Sequence, residues 1–366
     1  MAVLYRKYRP KNFEEIIGQD HIKQTLANEI STNSISHAYL FCGPRGSGKT
    51  TFARVLAKAV NCENRKDGQF EPCGKCSSCL EITGGNAMDI IEIDAASHRG
   101  IDDIKELKEG IRISPVKSKY KIFIIDECHQ LSKDASNALL KTLEEPPSHA
   151  IFILATTEIH KMLPTIISRC QRFDFKRLQS ADIVKKLEYI AEKEGIKFDK
   201  SALSLIALNA RGSFRDAESL LDQCLSFSGK TSLIKTADIE ELLGIVEIGQ
   251  ISKFVDFLIA KKAKEAIIFV NEMADGGADL QEFAKTLIFY LREAMLSKIN
   301  PDFLKPEASG FSAEEIIKIK SQITGLTDKD IQSMLQTFIE AEGKMRYASI
   351  SQLPLELAIV TITNPQ

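Results

Sequence analysis

The sequence of 366 residues predicts an α/β fold with a parallel sheet in its N-terminal half, followed by helical regions. Three observations support this prediction. Strand-like apolar runs alternate with helical patterns up to about residue 178, as in parallel sheets whose strands are joined by helices. The runs at 122–125 and 151–154 have no polar member, as expected of strands buried on both faces. Beyond residue 181 the apolar residues recur only at helical spacing.

The composition predicts an intracellular protein with a large core. Hydrophobic residues make up 44% of the chain and its formal net charge is −2. No overall basic field therefore favours nucleic acid, and any such contact has to be local. The first ten residues are too polar for a signal peptide, and the longest apolar runs have only the length of strands. We expect a cytoplasmic protein without membrane contact.

A glycine-rich loop follows the first predicted strand, residues 37–42. The loop consists of Gly43, Pro44, Arg45, Gly46, Ser47, Gly48, Lys49 and Thr50. These residues match the phosphate-binding pattern G-x-x-x-x-G-K-[ST], and a helix predicted over 51–59 would add its dipole to the backbone N–H groups of the loop. We expect Lys49 to reach the β- and γ-phosphates and Thr50 to hold Mg²⁺. The loop therefore predicts a nucleoside triphosphate site.

Two acids end the buried run at 122–125. Asp126 and Glu127 lie where a parallel sheet presents its carboxyl edge, the usual place for ligands in α/β proteins. We expect Asp126 to hold Mg²⁺ and Glu127 to orient and deprotonate the attacking water, so that the nucleotide is hydrolysed. With His129 the pair forms a D-E-x-H box like that of helicases, but nothing beyond residue 180 supplies the second motor domain that a helicase needs.

Further motifs extend along the chain. They are Tyr8-Arg9-Pro10, Ile17-Gly18-Gln19, Ile93 to Ser97, Asn137 to Pro147, Ala155-Thr156-Thr157, Ser168-Arg169-Cys170 and Gly212 to Ala217. Together with the phosphate loop and the two acids, they resemble the motifs of AAA+ ATPases and, within that family, those of the gamma/tau clamp-loader subunits of bacterial DNA polymerase III. The resemblance covers about residues 5–217; the C-terminal third is similar in helical character and position only.

The resemblance implies roles for single residues in the site. Thr157 would be the sensor-1 residue, with Thr156 as the alternative, and Arg215 would be the sensor-2 arginine that reaches the phosphates from a lid domain. Arg169 resembles an arginine finger, which acts on ATP bound to a neighbouring subunit and stabilises charge on the transferred phosphoryl group. Without the resemblance, Arg169 fits a surface arginine about equally well.

The base end of the nucleotide is less clearly marked in the sequence. Arg6, Lys7, Arg9 and Lys11 form a basic cluster, which we expect to frame the base and ribose edge, with Ile17 as a further contact. The choice of ATP over GTP rests on the resemblance.

The resemblance also implies function and partners. It implies an ATP-driven motor that loads a sliding clamp onto primer–template DNA, inside a hetero-oligomeric ring of clamp-loader subunits near the bacterial nucleoid. Ser97, Arg99 and the helix start at Ile101 would face DNA phosphates, although a solvated loop fits these residues equally well. The alternatives are a non-hydrolysing nucleotide-binding scaffold subunit and a DExH-type helicase.

Half of the eight cysteines cluster just after the phosphate-loop helix: Cys62, Cys73, Cys76 and Cys79. The C-x-x-C-x-x-C spacing allows tight turns that bring thiolates to one tetrahedral ion. A structural zinc site fits better here than an iron–sulfur cluster or disulfides. The resemblance points to the same zinc module. The other cysteines, Cys42, Cys128, Cys170 and Cys224, are expected to be small buried hydrophobic residues.

We therefore predict three domains. Residues 1–178 would form the AAA+ ATPase domain, with the zinc module inserted at about 62–80. Residues 179–243 would form a helical lid domain, and residues 244–366 an all-helical collar that holds a ring of subunits.

Overall fold

The computed structural model describes residues 3–97, 110, 111, 113–228, 233–243, 248–304 and 311–364. The chain divides into two compact units, Met1–Leu233 and Ile234–Gln366. The predicted fold class, an α/β region followed by helical regions, is confirmed. The domain boundaries after residues 178 and 243 stay predictions.

The first unit is built on a parallel five-stranded sheet. The strands are β1 (Ala38–Cys42), β2 (Ile90–Asp94), β3 (Lys121–Asp126), β4 (Ala150–Thr156) and β5 (Gln171–Asp174). Their spatial order is β2-β3-β4-β1-β5. The carboxyl ends of β1, β3 and β4, which carry the predicted site, are therefore neighbours. The sequence does not predict β2, an edge strand whose apolar run is interrupted by the exposed Glu92.

Helices cover both faces of the sheet. In the first unit they are α1 (Leu4–Lys7), α2 (Asp20–Ser31), α3 (Lys49–Val60), α4 (Ser77–Gly84), α5 (Lys133–Glu144), α6 (Pro164–Ile167), α7 (Ser180–Glu194), α8 (Lys200–Asn209) and α9 (Phe214–Ser228). Alternate strand residues enter opposite cores: Tyr39 and Phe41 pack with Phe52 of α3, whereas Leu40 packs on the other face with Phe123. Strands β1, β3 and β4 are therefore buried on both sides, as the apolar runs predict.

The second unit is helical in its described residues. Its helices are α10 (Thr236–Leu243), α11 (Ile248–Ile259), α12 (Ala263–Asp275), α13 (Leu280–Ile299), α14 (Ala313–Ile323), α15 (Asp328–Met345) and α16 (Leu353–Thr363). Phe254, Phe283 and Phe338 are fully buried in one core. Throughout the described chain, no helix is both long and apolar enough to cross a bilayer.

Candidate nucleotide site and cysteine cluster

The glycine-rich loop connects β1 to α3, which begins at Lys49. The side chain of Lys49 is buried and folds back on the loop, where its Nζ donates to the carbonyl oxygens of Gly43 (2.8 Å) and Pro44 (2.9 Å). Burial lowers the pKa of Lys49, and the carboxylates of Glu127 and Asp126 oppose that shift. The cation that would contact phosphate is thus held in place by the loop itself.

The loop opens onto a cavity of about 510 Å³, a volume typical of small-molecule sites. The predicted site residues that line it are Arg9, Ile17, Arg45, Gly46, Ser47, Gly48, Lys49, Thr50, Asp126, Glu127, Thr157 and Arg215. Gly43, Pro44 and Arg169 do not line it. The carbonyls of Gly43 and Pro44 bind the ammonium of Lys49. These two residues therefore contribute to the site indirectly, by holding Lys49 in place.

Two oxygen ligands meet where α3 starts and β3 ends. The hydroxyl of Thr50 donates to Asp126 Oδ2 over 2.8 Å. A hydroxyl and a carboxylate beside a phosphate-binding loop are hard oxygen donors, which suit Mg²⁺. Asp94, which pairs with Asp126 across β2 and β3, also lines the cavity. The residues present therefore fit the predicted cation.

Glu127 directly follows Asp126 and adopts a left-handed backbone conformation, with φ 46°. Its Oε2 accepts hydrogen bonds from the hydroxyl (2.8 Å) and the backbone N–H (3.3 Å) of Thr157. Its own N–H donates to Asp126 Oδ1 over 2.9 Å. Of the two threonines at the tip of β4, Thr157 thus contacts the predicted base, whereas Thr156 is fully buried and does not line the cavity.

His129 also lines the cavity and lies between Glu127 and Glu158. Its Nδ1 lies 3.0 Å from Thr156 Oγ1 and 3.5 Å from Glu127 Oε2, while its Nε2 lies 3.1 Å from Glu158 Oε2. The sequence presents His129 only as part of a helicase-like box and does not single out Glu158. The position of Glu158 directly after the strand-tip threonines is a local signal that would have found it.

The lid helix α9 begins against the phosphate loop. The N–H of Phe214 donates to the carbonyl of Gly46 over 3.2 Å, and a Cβ placed on Gly46 would lie 1.8 Å from Ser213 Oγ. The next residue, Arg215, lines the cavity with its guanidinium 5.1 Å from the centroid of the Tyr5 ring, within cation–π range. Arg215 is therefore placed beside the loop by the start of its own helix.

Two buried ionisable residues of the lid helices also line the cavity, Lys186 on α7 and Glu218 on α9. Burial raises the pKa of Glu218 to about 7, although the charges of Lys186 and Arg9 act in the opposite direction. Burial likewise lowers the pKa of Lys186. The sequence gives no signal for either residue because each lies in an ordinary amphipathic helix.

The basic cluster near the N-terminus divides in the structure. Arg9 lines the cavity, and burial lowers the pKa of its guanidinium. Lys7 pairs with Glu194 at 2.5 Å. Neither Lys7, Arg6 nor Lys11 lines the cavity, so within this cluster Arg9 is the residue placed to contact a ligand there.

Arg169 lies outside the cavity, after α6. Its Nη2 pairs with Glu144 Oε1 at 2.5 Å and its Nη1 donates to the carbonyl of Thr165 at 2.8 Å. Its side chain remains about one-third exposed. Arg169 is therefore separate from the site of its own chain.

The four clustered cysteines converge, with every Sγ within 4.8 Å of the others. Cys62 follows α3, Cys73 and Cys76 come from the next loop, and Cys79 is in α4. Backbone N–H groups of Lys75 and Cys76 point at Cys73 Sγ over 3.4 and 3.3 Å. Burial alone would raise the pKa of Cys73, but these hydrogen bonds, together with those of the Cys62 and Cys76 thiols, lower the pKa to about 6. Four converging sulfurs fit one tetrahedral zinc ion.

The remaining cysteines carry no sign of reactivity. Cys42, Cys128 and Cys224 are buried, and Cys170 is partly buried. Burial raises the pKa of Cys42 and of Cys224 to about 11 and that of Cys170 to about 12. These thiols therefore stay protonated.

The segment predicted to face DNA is described only in part. The hydroxyl of Ser97 donates to Asp94 Oδ2 over 2.8 Å. Arg99 and Ile101 lie outside the described residues, so the prediction of a DNA contact there stays a prediction.

Comparison with family models divides the chain into three matched segments. Residues 18–179 match "DNA polymerase III, delta subunit", residues 182–230 match "DNA polymerase III clamp loader subunit, ATPase lid domain", and residues 234–365 match "DNA polymerase III subunits gamma and tau domain III". All three segments therefore resemble subunits of one polymerase assembly.

Individual relatives of the chain are likewise subunits of DNA polymerase III. DNA polymerase III subunit gamma of Buchnera aphidicola is 35% identical over 366 residues, covering 98% of both chains. Subunit tau of Bacillus subtilis is 42% identical over 359 residues, and that of Escherichia coli is 36% identical over 358 residues; each alignment covers 98% of this chain. The chain spans only 62% and 54% of the length of those two tau subunits.

A solved structure supports the fold. The Thermotoga maritima RuvB Holliday junction branch migration motor matches with a TM-score of 0.50 at 20% identity, over 74% of this chain and 86% of that one. At this identity the likeness concerns the fold alone. Together with the lid and domain III matches, it confirms the predicted AAA+ architecture.

Proposed function

This chain belongs to the gamma/tau family of DNA polymerase III subunits, and from that membership we propose that it is an ATP-hydrolysing motor subunit of a clamp loader, which places a sliding clamp on primed DNA. The observation that carries the proposal is that most of the side chains predicted to bind phosphate and to hydrolyse the nucleotide line one cavity. That set joins the loop, the ends of β3 and β4, and the lid helix.

The loop and its neighbours would bind the triphosphate. Lys49 would exchange its bonds to the loop carbonyls for bonds to the β- and γ-phosphates. Thr50 and Asp126, which already share a hydrogen bond, would hold Mg²⁺. When bound, this cation supplies positive charge beside the phosphate oxygens. The pairing of Lys49 with backbone oxygens rather than with a carboxylate supports this role, since the ammonium remains a free cation for phosphate.

Glu127 would act on the attacking water. Its carboxylate accepts a hydrogen bond from the Thr157 hydroxyl. The two residues expected to lie beside the γ-phosphate are therefore in direct contact. Glu127 would accept a proton from the water as it attacks, and Thr157 would orient the reacting groups. His129 lines the same cavity and would support Glu127 through its 3.5 Å contact with Oε2.

Two arginines would complete the site from different directions. Arg215 lines the cavity of its own chain and would act there on the phosphates. Arg169 faces Glu144 outside that cavity and would act as an arginine finger on ATP bound by a neighbouring subunit. Its position outside the cavity, with about one-third of the side chain exposed, supports a role between subunits rather than within one.

The wider assembly belongs to the same proposal. The partners would be other clamp-loader subunits in a hetero-oligomeric ring, the sliding clamp and primer–template DNA, in the bacterial cytoplasm near the nucleoid. The four-cysteine cluster would hold one structural zinc ion. A non-hydrolysing scaffold is the alternative, but the presence of Lys49, Asp126 and Glu127, the residues predicted to act in hydrolysis, in one cavity favours hydrolysis. A DExH helicase is disfavoured because the second unit is helical in its described residues.

Turnover by a Glu127→Gln variant tests hydrolysis. With clamp, partner subunits and primed DNA present, we expect nucleotide binding to persist while turnover falls about 100-fold or more, because a general base is lost. Glu188→Gln, which changes an exposed carboxylate on α7, is the matched control and should keep full turnover. If wild type turns over no faster than Glu127→Gln under these conditions, the scaffold alternative is correct. Unwinding of a forked duplex by the chain alone would favour the helicase.

Mixed assemblies test the role of Arg169. Arg169→Ala should leave ATP affinity nearly unchanged and lower turnover by about 1,000-fold at interfaces that need the finger. Mixing Arg169→Ala chains with Lys49→Ala chains should restore part of the activity, because a chain that binds no ATP can still provide its arginine to a neighbour. Absence of rescue in confirmed mixed assemblies would remove the finger role.

A further inference from the structure

Glu218 is a buried carboxyl group without a hydrogen-bond partner in the described chain. It is 6% exposed and lines the nucleotide cavity, one helical turn beyond Arg215 on α9. A carboxylate in this position is unfavourable unless something donates to it, which accounts for the rise of its pKa to about 7. The cavity therefore holds an acceptor that the protein itself leaves unused.

Lys186 provides a donor close to this acceptor. Its Nζ is 3.0 Å from the carbonyl of Tyr8, which uses one of three N–H groups. Its charge acts on Glu218, yet no ion pair closes between them in the described part of the chain. The ammonium of Lys186 thus retains donor capacity and the carboxylate of Glu218 retains acceptor capacity, and both residues line the same cavity.

These two residues lie on the side of the cavity that the N-terminal segment borders. Lys186 binds the carbonyl of Tyr8, and α9, which carries Glu218, packs against α1, whereas Lys49 binds the loop carbonyls of Gly43 and Pro44. The phosphate side and the Glu218 side are therefore separate parts of one cavity.

Apolar side chains of the N-terminal segment, close in sequence to the Tyr8 carbonyl that binds Lys186, also border the cavity. Pro10, Ile16 and Ile17 also line the cavity, and apolar walls with few polar groups are typical of sites that bind a flat organic ring. The Glu218 side is thus suited to a base rather than to phosphate.

We propose that Glu218 and Lys186 read the hydrogen-bonding edge of the adenine base, the carboxylate accepting from the exocyclic amino group and the ammonium donating to ring nitrogen N1. The proposal rests on the proposed function, since it needs ATP in this cavity. Both residues are specificity-determining rather than catalytic. A base without the amino group would leave the buried carboxylate unpaired, which is how such sites reject analogues.

The test compares ATP with purine riboside triphosphate, which lacks the amino group, by equilibrium binding to the full chain. Wild type should bind ATP about 10- to 100-fold more tightly, as expected for a hydrogen bond to a charged group. In Glu218→Leu the ratio of the two affinities should fall to near one. Glu218→Gln keeps an acceptor and should retain part of the preference. Asp216→Leu, an exposed change on the same helix, should match wild type.

A second nucleotide analogue tests the role of Lys186. Lys186→Met should abolish any preference for ATP over 1-deaza-ATP, which lacks N1, while keeping the preference over purine riboside triphosphate. Because each comparison is a ratio within one variant, a general loss of affinity does not disturb it. This arm also decides the question if Glu218→Leu fails to fold.

Several outcomes would overturn the proposal. The first is that Glu218→Leu keeps the wild-type preference for ATP over purine riboside triphosphate. The second is that wild type prefers GTP to ATP and that this preference disappears in Glu218→Leu. The third is that Glu218→Leu changes only the affinity for 2′-deoxy-ATP relative to ATP, which would assign Glu218 to the ribose. If wild type binds none of these nucleotides, the proposed function fails instead, and the two failures are therefore distinguishable.

Discussion

The two ends of helix α3 carry sites of opposite construction. At Lys49 the backbone of the loop borders an open cavity whose other walls come from β3, β4 and the lid. Beyond the last turn, Cys62 joins three other thiols that lie within 4.8 Å of one another. The first site is shaped by the main chain and completed by distant elements, whereas the second is completed by side chains from residues 62–79. The two should therefore fail in different ways.

Removal of the metal should have the largest effect. Structural zinc contributes on the order of 10–16 kcal/mol in small sites, so Cys73→Ser should strip the ion and unfold the segment 62–84. Metal analysis should find one zinc ion per wild-type chain and none in the variant, and hydrogen exchange should increase across that segment. Cys170→Ser, outside the cluster, is the control.

The same variant tests the independence of the two sites. Because α3 spans 12 residues, its ends lie about 18 Å apart, and changes so far apart usually couple by less than about 0.5 kcal/mol. Since about 0.5 kcal/mol corresponds to about a twofold change in affinity, Cys73→Ser should bind ATP within about twofold of wild type. An iron–sulfur absorption band, or a wild-type chain free of zinc, would contradict the zinc assignment.

Lys49→Ala should have the next largest effect, at the opposite end of α3. Loss of charged hydrogen bonds to two phosphates should weaken ATP binding about 100-fold or more. Equilibrium titration measures this, with Lys141→Ala, an exposed change on α5, as control. Zinc content should remain one ion per chain. A variant that loses zinc together with nucleotide would show that the ends of the helix are coupled.

The smallest effect is expected between the two ends. Arg54 of α3 binds Glu92 of β2 through two hydrogen bonds of 2.8 and 2.7 Å, with the side chains 38% and 33% exposed. Partly exposed pairs contribute little, so Glu92→Gln should lower the free energy of unfolding by about 0.5 kcal/mol. Denaturant titration measures the change. If Glu92→Gln lowered the free energy of unfolding by several kcal/mol, or abolished the binding of zinc or of ATP, this pair would couple the two sites.

The sequence predicts what is encoded in short segments. The phosphate loop, the acids at the end of β3 and the four cysteines each depend on residues close in the chain, and the structure brings each set together. The burial of both faces of β3 and β4 follows from their uninterrupted apolar runs. Arg215 can be predicted only through the family resemblance, because a single arginine in a helix forms no local sequence pattern.

Long-range contacts explain what the sequence does not predict. Glu218 and Lys186 appear as polar members of amphipathic helices, and only the packing of the lid beside the loop buries them. His129 gains its partners from the neighbouring strand. Strand β2 is half exposed and charged, so neither periodicity nor apolarity marks it. In each case the deciding contact comes from an element distant in sequence.

The close approach of the lid to the loop limits which sequences this protein can tolerate. In the phosphate-loop pattern, position 46 is one of the four variable places. Here any side chain at Gly46 would meet Ser213 Oγ at 1.8 Å, and its φ of 73° is one that other residues rarely adopt. Random replacement of the variable places should therefore recover diversity at Arg45 and almost none at Gly46. The motif alone understates the constraint, because part of it is imposed by a helix that begins 168 residues later.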